Sequence, residues 1–223
     1  MTSANVPTPE ALIDSFPHSV IPKIEGQPDY EKIAAIKHLL GANAASVQTT
    51  RGGGSNGYLG IILSPAVYNT VSPVPWVDPP NPGATPTIPL NATAAQIGEA
   101  VRTHTEQLRQ WREFNNVQQA LKKQLLDSVD NLYLRAIRHR HVGFANRSIR
   151  DMLNHLISEY GHITPIDLKQ NNNHFTKEWN PNQPFEALID QVEEAVDYAH
   201  QRPKPKWQPY LKMRNLVPKY ELH

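Results

Sequence analysis

The sequence predicts a mainly α protein, a helical bundle whose first third is irregular and rich in glycine and proline. Three observations predict it. Eight of the twenty prolines fall between Pro65 and Pro89, and none occurs from Leu90 to Thr164. Proline inside a helix costs about 3 kcal/mol, so this interval is where helices can run unbroken. Within it Ala94, Ile97, Val101, Leu108 and Trp111 recur at three-, four- and seven-residue steps, as one helical face does. Finally, serine, threonine or proline stands just ahead of the later apolar runs, where helix starts are capped.

Taken in order, residues 1–28 read as a flexible arm and 29–200 as the helical domain. Asp29 to Leu40 forms a helix through Ile33, Ile36 and Leu39, ended by Gly41, with Ala42 to Val47 continuing it after a kink. Residues 51–60 hold five of the eleven glycines and make a loop or turn. Leu59 to Leu63 reads as a short strand, Ser64-Pro65 opens a helix through Tyr68, and 72–90 is a Pro-rich surface linker. Helices follow over 94–114, capped by Thr93, and 117–138, with Asn115-Asn116 as the break between them. The second carries Leu121, Leu125, Val129, Leu132 and Ala136 on one face. Ser148 and Asp151 form a capping box for a helix to Tyr160, with Ile149, Leu153 and Leu156 apolar and Gly161 as the stop. Thr164-Pro165 starts a short helix toward Phe175. Pro184 starts another through His200, with Phe185, Leu188, Ile189, Val192 and Val196 on one face. Its other face is acidic: Glu186, Asp190, Glu193, Glu194 and Asp197. The basic, Pro-rich tail 201–223 has no period and is expected to be disordered.

Composition narrows the function classes. The 223 residues carry 22 Lys/Arg and 21 Asp/Glu, which argues against a strongly basic nucleic-acid binder. Cysteine is absent, so a disulfide framework, a Cys-ligated zinc site and a thiol nucleophile are excluded. No apolar run approaches the ~20 residues of a membrane span, and Met1 to Ser15 lacks a secretory pattern, so a soluble intracellular protein is expected. The charge is nevertheless segregated: net −3 over 1–101, +6 over 102–150, −7 over 151–200 and +5 over 201–223. Neighbouring blocks of opposite sign suit pairing within the fold or between copies, or are simply solvated helix faces.

Chemical motifs are sparse. The glycine run lacks the lysine of a phosphate loop. His155, Glu159 and His162 share a helical face only if the helix passes Gly161, and His139 and His141 flank Arg140 in a loop where alternate residues diverge. No Gly-x-Ser-x-Gly or Asp-Ser/Thr-Gly occurs, so no enzyme activity, cofactor, metal or small-molecule substrate is expected. One cluster remains: Arg135, Arg138, Arg140, Arg147 and Arg150 surround a helix-to-helix connection and suit RNA phosphates, or pairing with the acidic helix.

The run from Trp111 to Ala199 resembles the Gag-like capsid region of copia-type LTR retrotransposons. The likeness lies in an aromatic-led helix at Trp111, a helix of the type Ala120-Leu121…Leu125-Leu126…Val129, and a Ser-started helix with Leu153, Leu156 and Tyr160-Gly161. A Pro-started helix from Pro184, carrying Phe185, Leu188 and Val192, completes it. Upstream, Asn43-Ala-Ala-Ser-Val-Gln, the glycine run, Leu63-Ser-Pro-Ala-Val-Tyr-Asn-Thr and Asn81-Pro-Gly-Ala-Thr-Pro-Thr-Ile-Pro look like such proteins from protists such as diatoms and oomycetes. Leu153 departs from the family's tryptophan, and no zinc knuckle exists. The family's further helices are replaced by Arg202-Pro-Lys-Pro-Lys-Trp and the tail to His223, so a second capsid lobe is expected to be missing or replaced.

The resemblance implies the fold of a capsid N-terminal lobe and a non-enzymatic structural protein. Such a protein self-associates into a virus-like particle in the cytoplasm, with the nucleus as a second compartment, and packages RNA without contacting membrane. On this reading the acidic residues Glu186 to Asp197 serve self-association. The alternative is a monomeric helical nucleic-acid-binding module built on Arg135–Arg150.

Overall fold

The computed structural model of the protein describes residues 6–162, 165–178, 180, 182 and 184–200. Among them the chain is mainly α, with seven α-helices and no β-strand. It divides into two compact units, Met1–Gly161 and His162–His223. The tail 201–223 lies outside the described residues.

The first unit begins earlier than the expected domain. Within the segment read as a flexible arm, Thr8 and Pro9 start helix α1 (Pro9–Ser15), and Leu12, Phe16, Ile21 and Ile24 are buried. Proline density hid it: Pro9 sits in the first turn, where its missing N–H costs nothing. Helix α2 (Tyr30–Ser46) is capped by Asp29, whose Oδ1 accepts from Lys32 N at 2.9 Å. It runs through buried Gly41 without the expected stop. Leu59–Ile61 is a 3-10 turn rather than a strand. Helix α3 (Pro65–Val71) starts on Ser64, as expected.

Helix α4 (Ala94–Ser128) is a single 35-residue rod, about 52 Å long, where two helices were expected. A capping box opens it: Thr93 Oγ1 accepts from Gln96 N, and Gln96 Oε1 accepts from Thr93 N at 2.9 Å. Asn115 and Asn116 do not break it. Their intrinsic cost is a few tenths of a kcal/mol each, and both amides are satisfied. Asn115 Nδ2 donates to Trp111 O at 2.7 Å and Asn116 Nδ2 to Pro7 O at 2.8 Å. The rod ends at Ser128, and buried Val129 turns extended. Asp130 then caps a 3-10 segment, Asn131–Ile137, so Leu132 and Ala136 leave the predicted helical face and are exposed.

Helix α5 (Ile149–Tyr160) has the predicted capping box: Asp151 N donates to Ser148 Oγ at 3.0 Å and Ser148 N to Asp151 Oδ2 at 3.2 Å. It ends at Gly161 with φ −81°, so the stop is not a left-handed cap. A Cβ at Gly161 would sit 2.6 Å from Ile157 O, which is what glycine relieves. The core gathers Ile33, Ile36 and Leu40 of α2, Leu121 and Leu125 of α4, and Leu153 and Leu156 of α5. Each such side chain contributes about 1.5–3 kcal/mol by leaving water.

A buried polar network ties the N-terminal segment to this core. Asn43 Oδ1 accepts from His18 N at 2.9 Å, and Asn43 Nδ2 donates to His18 O at 2.8 Å and Gln124 Oε1 at 2.9 Å. Gln124 Nε2 in turn donates to His18 O at 2.9 Å and Ser19 O at 3.0 Å. Ser128 O accepts from Ile24 N at 2.8 Å.

The second unit packs α6 (Pro165–Phe175) on α7 (Glu186–His200). Asn171 Nδ2 donates to Ala195 O at 2.9 Å, and Gln191 Nε2 donates to His174 O at 2.8 Å and Lys177 O at 3.0 Å. The α7 start falls two residues after the predicted Pro184.

Candidate functional site

The basic connection is built on a narrow turn. His139 and Gly143 exchange N–H···O=C bonds of 2.9 and 3.0 Å, with Gly143 at φ +57°. His139 Nδ1 accepts from His141 N at 3.2 Å and Val142 N at 3.4 Å, which curls the tip. The two imidazoles approach to 5.8 Å between ring centroids rather than diverging. Among the described residues, no three His, Cys, Asp or Glu side chains gather around a point that would hold a metal ion.

The five arginines do not form one patch. Arg135, Arg138 and Arg140 are exposed on the 3-10 segment and the turn. Arg147, also exposed, donates through Nε to Ile137 O at 3.0 Å. Arg150, half-buried, donates through Nη2 to Gly60 O, and its Nε is buried without a partner. Arg150 therefore braces the fold, and the surface that can meet phosphate is made by exposed Arg135, Arg138, Arg140 and Arg147. Lys122, which sequence reasoning missed, anchors the base of the turn by donating from Nζ to Phe144 O at 3.3 Å and Ala145 O at 3.2 Å. Burial lowers its pKa, partly opposed by Asp151. A lysine inside a helical pattern carries no sign of which carbonyls it will reach.

The remaining expected residues take structural places. Leu121, Leu125, Val129, Leu153 and Leu156 are buried and Ser148 is a cap. Tyr160 meets Tyr133 edge-on at 5.3 Å. His155 Nε2 lies 3.1 Å from Tyr133 O, and α5 ends before His162. In the second unit Glu186, Asp190 and Glu193 are exposed, Phe185 is exposed, and Leu188 and Val192 are half-buried. The side chains of Glu194 and Asp197 lie outside the described residues.

The glycine turn and α4 enclose a polar cleft of about 530 Å³, lined by Thr49, Thr50, Ser55, Arg109 and Glu113 among others. Its cations are already engaged. Arg109 pairs with Glu106 at 2.8 Å and Glu113 at 3.0 Å, and this guanidinium, with Gln110, holds Glu106 down to about 2. Beside the cleft, Arg51 donates to Val77 O at 3.1 Å and to the lining Gln110 Oε1 at 2.9 Å. Burial, reinforced by Glu113, pushes the Tyr58 hydroxyl up to about 12.

A second surface lies on α4 ahead of the core. Buried residues of the rod begin only at Phe114. Before it, Ile97 and Val101 are 39% and 44% exposed, and Leu108 and Trp111 are half-buried outside the core cluster. Ile97 and Val101 are the two exposed large apolar side chains of α4 among the described residues, and six more lie on α3 and the Pro-rich segment between Val67 and Leu90. The Pro-rich segment is a strap beside this half-rod rather than a free linker. Trp76 anchors it edge-on to Tyr58 at 5.7 Å and Tyr68 at 5.9 Å, and Arg51 joins Val77 to Gln110. His104 Nε2 lies 3.2 Å from Gly83 O, and Pro89 lines a groove of about 400 Å³ with Gln96. The strap thus runs antiparallel to the first half of α4.

Comparison of the chain with protein-family models, with curated proteins and with solved structures gave no match. Among the described residues, no helix is long and apolar enough to cross a membrane.

Proposed function

We propose that this chain is a Gag-like structural protein that self-associates and packages RNA, its work being done by surfaces rather than by a reactive pocket. The observation that carries the reading is the exposed apolar stripe on the first half of α4, which the chain's own core leaves uncovered. Contiguous apolar exposure of this kind marks interaction surfaces. The opposite net charges of 102–150 and 151–200 add a second attraction between copies, with Glu186, Asp190 and Glu193 exposed on one side and Arg135, Arg138 and Arg140 on the other. Multi-angle light scattering and negative-stain imaging test it. Assemblies that hold nuclease-protected RNA and loosen at high salt are expected, since exposed pairs are screened beyond about 10 Å at 0.1 M. A monomer at every soluble concentration overturns it.

The second reading, a monomeric nucleic-acid-binding module, is favoured by the exposed Arg135, Arg138 and Arg140 along the 3-10 segment and the turn that follows it. Arg138→Ala with Arg140→Ala should then weaken filter binding and flatten its salt dependence. Unchanged binding removes this reading.

A further inference from the structure

The 20 residues between Asp130 and Asp151 carry five arginines and two histidines and no acidic side chain. Both bounding acids serve as caps: Asp130 Oδ1 accepts from Leu132 N at 2.8 Å, and Asp151 Oδ2 accepts from Ser148 N at 3.2 Å. Arg135, Arg138, Arg140 and Arg147 are exposed, and so are His139 and His141. The turn that presents them is held from within. His139 and Gly143 are bonded in both directions, Lys122 holds the Phe144 and Ala145 carbonyls, and Arg147 reaches Ile137 O. His139 Nδ1 accepts from two backbone N–H groups of the tip, which fixes the plane of its ring. A surface ordered in this way loses little further freedom on binding.

We propose that this turn binds single-stranded RNA, its guanidinia meeting phosphates and the His139 and His141 rings serving as stacking faces for two unpaired bases. This rests on the RNA contact of the readings above and names its form. Two features select the single strand. The imidazole centroids are 5.8 Å apart and their planes 54° from parallel, whereas the bases of a duplex stack in parallel at about 3.4 Å per step. A strand that lays one base on each ring is therefore splayed, as only unpaired RNA can be. A carboxylate-rich partner, by contrast, would engage the guanidinia and leave both imidazoles idle. An unpaired strand supplies phosphates and base faces together.

Fluorescence anisotropy on the full chain tests it, with a labelled oligouridine of about twelve nucleotides, within the usual range of single-strand site sizes. The competitors are an abasic oligomer of the same length and charge, the duplex of oligouridine with oligoadenosine, and polyglutamate. Oligouridine should bind most tightly, although the duplex carries twice its charge. His141→Ala should weaken that binding at least about fivefold, the low end for base–aromatic stacking. His141→Phe, which keeps a ring and removes the imidazole nitrogens, should stay near wild type. His141 enters the hydrogen bonds of the tip through its backbone N, so circular dichroism and the melting temperature should not move in either variant. Arg138→Ala with Arg140→Ala should instead lower the salt slope by about 1.4, at about 0.7 per phosphate contact on a single strand. If the abasic oligomer, the duplex or polyglutamate binds as tightly as oligouridine, or His141→Phe is as weak as His141→Ala, the proposal is overturned while RNA binding through charge stands. A chain that binds no RNA at about 0.05 M salt, where phosphate contacts are strong, overturns both.

Discussion

Replacing Asn43 with alanine tests whether the N-terminal segment is held by the buried amide network. The substitution removes three hydrogen bonds, two to His18 and one to Gln124 Oε1. The His18 carbonyl keeps Gln124 Nε2 at 2.9 Å, so of the three groups that bonded Asn43, His18 N–H and Gln124 Oε1 lose that partner without the His18 carbonyl's replacement. Water reaches half-buried His18, whereas Gln124 is only 4% exposed and carries the larger penalty. With each of the two bonds to His18 at about 1 kcal/mol and the unsatisfied buried Gln124 acceptor at about 1–3 kcal/mol, the expected loss is about 3–5 kcal/mol. Against a typical total of about 5–15 kcal/mol that is a large fraction. Urea denaturation followed by circular dichroism reads the loss. A double-mutant cycle with Gln124→Ala isolates the pair, and a coupling of about 1–2 kcal/mol is expected. A loss under about 1 kcal/mol, or strict additivity with Gln124→Ala, refutes the network as the fastening.

Gly60→Ala should displace Trp76, whose ring a Cβ at that position would overlap, and cost about 1–3 kcal/mol. A red shift of tryptophan emission reports the lost contacts with Tyr58 and Tyr68. Leu153→Ala, at a fully packed α5 position, should cost about 2–5 kcal/mol in the same denaturation assay, and Ser148→Ala about 1 kcal/mol through the lost cap. For Tyr58 the folded protein holds its proton more tightly than the unfolded chain, with a pKa raised from 10.0 to about 12. Its contribution is therefore full below pH 10 and lost as pH rises through about 12. The urea midpoint should fall over that window, and Tyr58→Phe should flatten the fall.

Where a sequence signal is local, it was readable. The Ser148–Asp151 box, the Thr93 cap and the Ser64-Pro65 start each depend on side chains reaching backbone within one turn, and all three form. The apolar set Leu121, Leu125, Leu153 and Leu156 was readable from spacing alone. What depends on distant partners was not. Asn115-Asn116 has the composition of a break, yet the bond from Asn116 to Pro7 spans 109 residues. Proline density between 72 and 90 announces extended chain but not where that chain lies, which Trp76 decides by fitting against Tyr58 and Tyr68. For the arginine cluster, counting charge located the surface but not the direction of each stem: Arg150 reaches into the fold to Gly60 O, while Arg147 stays exposed and bonds Ile137 O. Ala94, Ile97, Val101, Leu108 and Trp111 were visible as a face of α4, but that the buried core of the rod begins only at Phe114 was not.

The fastening of His18 to Gln124 also has a consequence for the order of events at the ribosome. These residues are 106 positions apart, so at about 5–20 residues per second the segment that is made first waits about 5–20 s for its acceptor to be synthesised. Throughout that interval Phe16, Ile21 and Ile24 have no finished site to enter. The nascent chain thus carries greasy residues at its leading end until the long rod emerges, and that delay is when a chaperone would have most to hold.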